Sequence, residues 1–314
     1  MTNRLKVVSN GNYSAFLTEF GCTCGRCQER RCKSNTSVSV ILENDQKVLW
    51  HGLFDVGEGI VDTISKNLPI SPPKLDYLFF SHWHPDHTLG LNTLCETYRR
   101  SYARNNAPAP KIPSWCRQGT GIWLKDRYAY ELNTLQLQTS VEFLPPGHVL
   151  DTIITNIGIS ITPITVSHLT ADIDPRLYQK MYCSCCFVIK YENKKIVLLW
   201  DIDNKNQWII TPKNTDEEQA KNLLLKADIV FIDCNAWTFE ENPNGSGNMG
   251  HISFQTVQKY VAELQPKKTI ITHISGHEDG IGNDGWGWTN RQWQQEVSKH
   301  GQFDLLDAGD SVIL

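Results

Sequence analysis

Residues 82–87 read His82-Trp83-His84-Pro85-Asp86-His87 and follow an apolar run, Leu75-Asp-Tyr-Leu-Phe-Phe80, with the composition of a buried strand. Three imidazoles and a carboxylate therefore lie within six positions at a strand's C-terminal end. Pro85 bars a helix from running through the cluster and pushes His84 into extended backbone, so the side chains splay from a turn. Imidazole nitrogen and carboxylate oxygen are the usual ligands of Zn²⁺, Mn²⁺ and Fe²⁺, and four such donors so close together suit two ions better than one. One histidine in a polar turn would imply nothing; three with an aspartate in this spacing imply a metal centre.

Further along, donors again close strand-like runs. The alternating run from Gly158 ends in His168, the apolar run from Lys195 ends in Asp201, and Lys268-Thr-Ile-Ile-Thr272 ends in His273. Earlier, Phe54-Asp55-Val56-Gly57 places a carboxylate after another such run. The hexapeptide pattern H-x-H-x-D-H, with the later order His, Asp, His, resembles the metallo-β-lactamase fold superfamily. The resemblance runs from about Leu5 to Leu314 and is weakest over Ser114 to Ile154 and Thr170 to Tyr182. It implies an α/β fold, a four-layer αββα sandwich. It also implies that His82, His84 and His168 hold one metal, that Asp86, His87 and His273 hold the other, and that Asp201 bridges them. Asp55 would support these ligands without binding metal itself. His251, in Asn248-Met-Gly-His251, lies where phosphodiesterase branches of the superfamily, ribonuclease Z among them, place a histidine that contacts the phosphate or protonates the leaving group.

A second cluster, Gly21-Cys22-Thr-Cys24-Gly-Arg-Cys27, sets three thiols within six residues. Such a knuckle suits tetrahedral Zn²⁺, whereas a disulfide is hard to close between Cys22 and Cys24. From the sequence alone Cys32 is the nearest fourth ligand. The phosphoribosyl cyclic phosphodiesterase type within the superfamily, which this chain resembles in its knuckle, completes the zinc with a histidine shortly after the last active-site histidine. That position is filled here by His277, at a spacing one residue longer than in that family.

The chain has 314 residues, 40% hydrophobic and 20% charged, enough for a substantial core, and it reads as one domain over 1–314 with the knuckle at about 21–32. It shows no uninterrupted apolar stretch long enough to span a membrane and no signal-peptide-like start, so no membrane partner is expected. Ten cysteines without an export signal suggest reduced thiols and a cytoplasmic location. A formal charge of −4 gives no sign of a nucleic-acid footprint, although bound metal ions would draw anions to the site. The absence of an obvious basic cluster near the ligands counts against long RNA, and a small-molecule substrate is expected. Dimers are common among such relatives, so a homodimer is the assembly the resemblance suggests.

Strands are expected at Leu5–Ser9, Ser37–Leu42, Lys47–Phe54, Tyr77–Ser81, Ile157–Val166, Cys186–Tyr191, Lys195–Trp200, Ile229–Asp233, Thr269–Thr272 and Ser311–Leu314. Helices are expected at Glu58–Asn67, Thr88–Tyr102, Asp216–Lys226, Phe254–Gln265 and Thr289–His300. The stretch of about 114–154, with Trp123, Tyr128, Tyr130, Leu132 and Leu135, suits either a helical cap insertion or a helix packed on the sheets. Cys183, Cys185 and Cys186 read as buried thiols entering a strand, with a further metal site as the alternative. Trp286 and Trp288, in a Gly-rich loop, could stack on substrate or close the core.

By this resemblance the chain is a metal-dependent hydrolase, and the knuckle favours a phosphodiesterase acting on a small or cyclic phosphate ester through a metal-bridging hydroxide. Its cofactors would be two divalent ions, Zn or Mn with Fe as a third candidate, plus one structural Zn. Asp86 would position or deprotonate the nucleophile and His251 protonate the departing alkoxide. The alternatives are an acyl hydrolase, lactonase or thioesterase, on the same metals, and a biosynthetic member similar to the pyrroloquinoline quinone biosynthesis B protein. That family has an altered ligand set, whereas this chain keeps every ligand.

Overall fold

Alternating and continuous apolar runs become fourteen strands among the described residues of a computed structural model, which describes residues 3–30, 33–45, 47–67, 73–140, 143–168, 171–172, 181, 183–238, 250–274, 277 and 285–314. In chain order they begin with β1 (Arg4–Gly11), β2 (Ser37–Asn44), β3 (Lys47–Phe54), β4 (Tyr77–Phe79), β5 (Ile112–Cys116) and β6 (Leu135–Thr139). There follow β7 (Ile153–Ile154), β8 (Ser160–Thr165), β9 (Cys185–Tyr191), β10 (Lys194–Leu199), β11 (Ile229–Asp233), β12 (Thr269–Thr272) and β13 (Phe303–Asp304). Finally β14 (Ser311–Ile313) returns to the first sheet. Two compact units result, one of Met1–Asn12, Cys32–Glu142 and Asp307–Leu314, the other of Tyr13–Arg31 and Phe143–Leu306.

Each unit is built on one seven-stranded mixed sheet, ordered β14-β1-β2-β3-β4-β5-β6 in the first and β13-β12-β11-β10-β9-β8-β7 in the second. The two repeat one plan. An antiparallel meander (β1-β2-β3; β8-β9-β10) turns parallel at its last strand (β3-β4-β5-β6; β10-β11-β12-β13). Parallel strands need crossover helices that cover a face, which is why β11, Ile-Val-Phe-Ile-Asp, is buried at every position. In the second unit the helix Phe254–Leu264 buries Phe254, Val257, Tyr260, Val261 and Leu264, the stripe that a 3.6-residue period requires, against Val197, Val230 and Ile271. It ends on Gln265 in the left-handed conformation (φ 52°). The helix Asn290–Val297 opens with a capping box between Thr289 and Gln292.

Residues 112–139 correct the cap reading. They form β5, the helix Gln118–Arg127 and β6, with β5 pairing parallel to both β4 and β6, so the aromatic and leucine spacing there belongs to a strand–helix–strand unit of the first sheet. Pro85 also does more than expected: it opens a single helical turn, Pro85–Thr88, as its N1 residue, after an extended His84 (φ −54°, ψ 152°). Cys32, Asn248 and most of the loop after His168 lie outside the described residues.

His51 is a buried titratable group of the first unit's core. Its Nδ1 donates to the Lys74 carbonyl at 2.8 Å and its Nε2 lies 2.8 Å from Ser39 Oγ. Burial pushes its pKa down from 6.5 to about 4, so the folded protein keeps the ring neutral where an unfolded chain would already bind a proton. This stability is fully present above pH 6.5 and is lost as pH falls toward 4, by about 3 kcal/mol in all. Chemical denaturation between pH 7.5 and 4.5 should show that decline, and His51→Gln should flatten it; an unchanged slope in the variant would assign the decline to other groups.

Candidate metal centre

The C-terminal ends of the parallel strands carry the donors. In the first unit Asp55 follows β3, and Ser81 and His82 follow β4. The carboxylate of the fully buried Asp55 accepts from Ser81 N (2.7 Å), Ser81 Oγ (2.6 Å) and His87 Nδ1 (2.8 Å). Asp55 thereby fixes the tautomer of His87 and leaves Nε2, 3.5 Å from Asp86 Oδ2, as the ring nitrogen that could hold a metal. Ser81 Oγ also lies 3.0 Å from His82 Nδ1, so one carboxylate organises both ends of the hexapeptide. The turn bearing Asp86 and His87 is seated by Val56 N→His87 O (2.9 Å) and Gly90 N→Val56 O (2.8 Å). A Cβ on Gly57 would come 1.9 Å from the Asp86 carbonyl, which explains the glycine in Asp-x-Gly. Trp83 stacks on Trp123 (4.1 Å, 3°) and meets His84 edge-on at 4.7 Å.

In the second unit Asp201 follows β10, Asp233 ends β11, His273 follows β12, and His168 lies beyond β8. The two carboxylate oxygens of Asp201 face different imidazoles: Oδ1 is 3.4 Å from His168 Nε2 and Oδ2 is 3.2 Å from His273 Nε2. Nitrogen and oxygen ligands about 2.0–2.1 Å from a tetrahedral ion stand about 3.3 Å apart, so both spacings match the edge of a coordination tetrahedron. His168 Nδ1 donates to the Gly250 carbonyl at 2.7 Å, leaving Nε2 for a metal. By donor chemistry both sets suit divalent ions, and in the second unit the ligand atoms of Asp201, Asp233, His251 and His273 all lie within 4.8 Å of one another. Asp55, Asp201 and His273 share one further property: each has left-handed backbone (φ 62°, 53° and 56°), a region non-glycine residues rarely occupy.

His251 is not isolated. Its Nδ1 lies 2.9 Å from Asp233 Oδ2 and 4.0 Å from Asp201 Oδ1, and its ring packs on His273 and His168 at 4.8 and 5.0 Å. Sequence reasoning assigned Asp233 no role, although it closes an apolar strand just as Asp201 does.

The knuckle also lies in the second unit. The ligand atoms of Cys22, Cys24, Cys27 and His277 all fall within 4.8 Å of one another, with Cys27 Sγ 3.1 Å and Cys24 Sγ 3.9 Å from His277 Nδ1. The Cys24 backbone N–H pulls the Cys22 thiol down, yet the Cys24 and Cys27 side chains and desolvation outweigh it and push the pKa up to about 11. A cation in their midst is what such crowded thiols need in order to ionise. Arg26, buried over the Tyr13 ring (4.4 Å), donates to the Ser14 and Phe16 carbonyls, and Ser14 N bonds to Ile274 O at 3.0 Å. The knuckle is thus tied to the residue after His273. Trp288 packs with Trp237 and Trp293 against the core, so it closes the core, and the Gly287 carbonyl accepts from Arg26 N. Cys183, Cys185 and Cys186 are buried thiols, and burial pushes Cys186 up to about 12.

The family model described as "Beta-lactamase superfamily domain" matches residues 53–274. A ribonuclease Z from Ligilactobacillus salivarius is 32% identical over 114 residues, 34% of each chain. Another, from Staphylococcus epidermidis, is 25% identical over 82% of this chain and 88% of its own. Among solved structures, a diphosphatase from the PhnP family superposes over 100% of this chain and 98% of its own at a TM-score of 0.66 and 16% identity. The α/β sandwich fold that the resemblance implied is the fold found, and no helix among the described residues is long and apolar enough to cross a membrane. With the family model covering most of its length and both donor clusters in place, the chain belongs to the metallo-β-lactamase superfamily and is a metal-dependent hydrolase.

Proposed function

We propose that the chain is a phosphodiesterase acting on a small or cyclic phosphate ester. In this reading two divalent ions, zinc or manganese with iron as the third candidate, would be held, one by His82, His84 and His168 and the other by Asp86, His87 and His273, with Asp201 a ligand to both. A structural zinc is held by Cys22, Cys24, Cys27 and His277. The observation that carries the reading is the Asp233–His251 pair, 2.9 Å apart, with His251 beside Asp201. A carboxylate-held imidazole next to metal ligands is placed to donate a proton, and a departing alkoxide needs one. An acyl hydrolase with an acidic leaving group does not. The relatives support the choice of phosphorus, since one is named a ribonuclease and the other a diphosphatase. The acidic net charge favours a small ester over a long nucleic acid.

When bound, the ions supply Lewis acidity, polarising a phosphoryl oxygen and making a water acidic enough to attack near neutral pH. The protein does the rest. Asp86 orients the water and accepts its proton; Asp55, through His87 and Ser81, holds that side of the site in register. His251 Nε2 delivers a proton to the leaving oxygen while Asp233 retains the Nδ1 proton and fixes the ring.

Elemental analysis together with hydrolysis of bis(p-nitrophenyl) phosphate, with and without added Mn²⁺, tests this. About three metals per chain with turnover supports the proposal. Three metals without turnover, but with cleavage of a lactone or thioester, would replace it with an acyl hydrolase. One metal, unrestored by Mn²⁺, would leave only the knuckle. Faster turnover of a structured RNA than of a cyclic phosphate would move the substrate to nucleic acid.

A further inference from the structure

We infer that Asn206 and Asp203 are positioning residues that lock the two chain segments carrying His168 and Asp201 into one rigid piece. The inference rests on the proposed ligand roles of those two residues. Ser167 directly precedes His168, and Asp203 stands two residues after Asp201. The Asn206 carboxamide grips both backbone groups of Ser167, accepting from its N–H at 2.8 Å and donating to its carbonyl at 2.8 Å, as a neighbouring strand would. The same Nδ2 donates to the Asp203 carbonyl at 2.9 Å. Asp203 N adds a bond to the Ser167 carbonyl at 3.1 Å, and Ser167 Oγ donates to Asp203 Oδ2 at 2.9 Å. Asn206 and Asp203 are fully buried, and Trp208 Nε1 donates to Asn206 Oδ1 at 3.2 Å, so the amide orientation is fixed from both ends.

β8 and β10 are not neighbours in the sheet, since β9 lies between them. The ladder therefore cannot set the His168–Asp201 spacing by direct pairing, and the Asn206 amide supplies the missing cross-link. Polar groups that orient metal ligands typically change metal affinity 10–100-fold when removed. Asn206→Asp keeps the shape but sets an acceptor against two carbonyls, so it should loosen the spacing while filling the same volume.

Zinc affinity can be measured by chelator competition on the purified protein, and the visible absorption of the Co²⁺-substituted protein records ligand geometry independently of turnover. Asn206→Asp should release active-site zinc about 10–100-fold more readily, shift the Co²⁺ band and keep the knuckle metal. Leu224→Ala, a cavity in the same core, should lower stability with both readouts unchanged. Ser167→Ala, which removes only the hydroxyl, serves if Asn206→Asp does not fold, with a smaller loss in the same direction. Wild-type affinity and band in Asn206→Asp, or in Ser167→Ala where that is the variant read, would overturn the inference, as would an equal loss in Leu224→Ala. A wild-type protein holding only the knuckle metal would instead remove the ligand assignment beneath it, and the two failures look different.

Discussion

Replacing His251 with alanine is expected to slow cleavage of a diester with an alkoxide leaving group by about 10²–10⁴-fold, the range of general acid catalysis. A p-nitrophenyl diester should lose far less, because its leaving group departs without a proton. The reasoning is geometric: Nδ1 is committed to Asp233 at 2.9 Å, so Nε2 is the atom left to carry the transferable proton. Asp233→Asn should approach the His251→Ala loss, since an amide can present its NH₂ to Nδ1 and stabilise the wrong tautomer. Comparing kcat/KM for the two leaving groups across both variants checks the assignment. Equal losses on both esters would remove His251 from proton transfer and leave it a packing role beside His273.

The second large effect concerns the knuckle. His277→Ala should cost one equivalent of metal and markedly lower the unfolding temperature. Structural zinc contributes about 10–16 kcal/mol in isolated finger peptides at neutral pH, and a fraction of that is comparable with the net stability of a domain, about 5–15 kcal/mol. Metal analysis alongside thermal unfolding decides it. If the variant keeps its full metal complement, the fourth ligand is another residue, and Cys32 becomes the candidate.

How much of this was legible in the sequence depended on whether the signal was local. The hexapeptide, Asp201 and His273 could be read because each closes an apolar run, and such runs became β4, β10 and β12. β5 was missed because Ile112-Pro-Ser-Trp-Cys116 carries a proline, which cannot donate to a ladder and argues against an interior strand. It nevertheless sits between β4 and β6. Once β5 was lost, the helix and strand after it looked like an insertion. Asp233 had the same local signature as Asp201, but no motif order asked for it. Asn206 and Asp203 had no signature: their partner, Ser167, lies 36–39 residues away, and nothing in the spacing announces a side-chain amide standing in for a strand.

The left-handed backbone at Asp55, Asp201 and His273 has a consequence for how this protein can change. A residue in that region is relieved by glycine or asparagine, so at Asp201 and His273, unlike Asp55 with its buried hydrogen bonds, selection for thermal robustness alone would favour replacing the side chain. With Asp201 and His273 holding metal as proposed, substitutions that relieve their backbone would also be inactivating ones. A library screened only for folded protein should therefore drift toward inert, sturdier chains, whereas one screened for turnover should hold these positions fixed and gain its stability elsewhere.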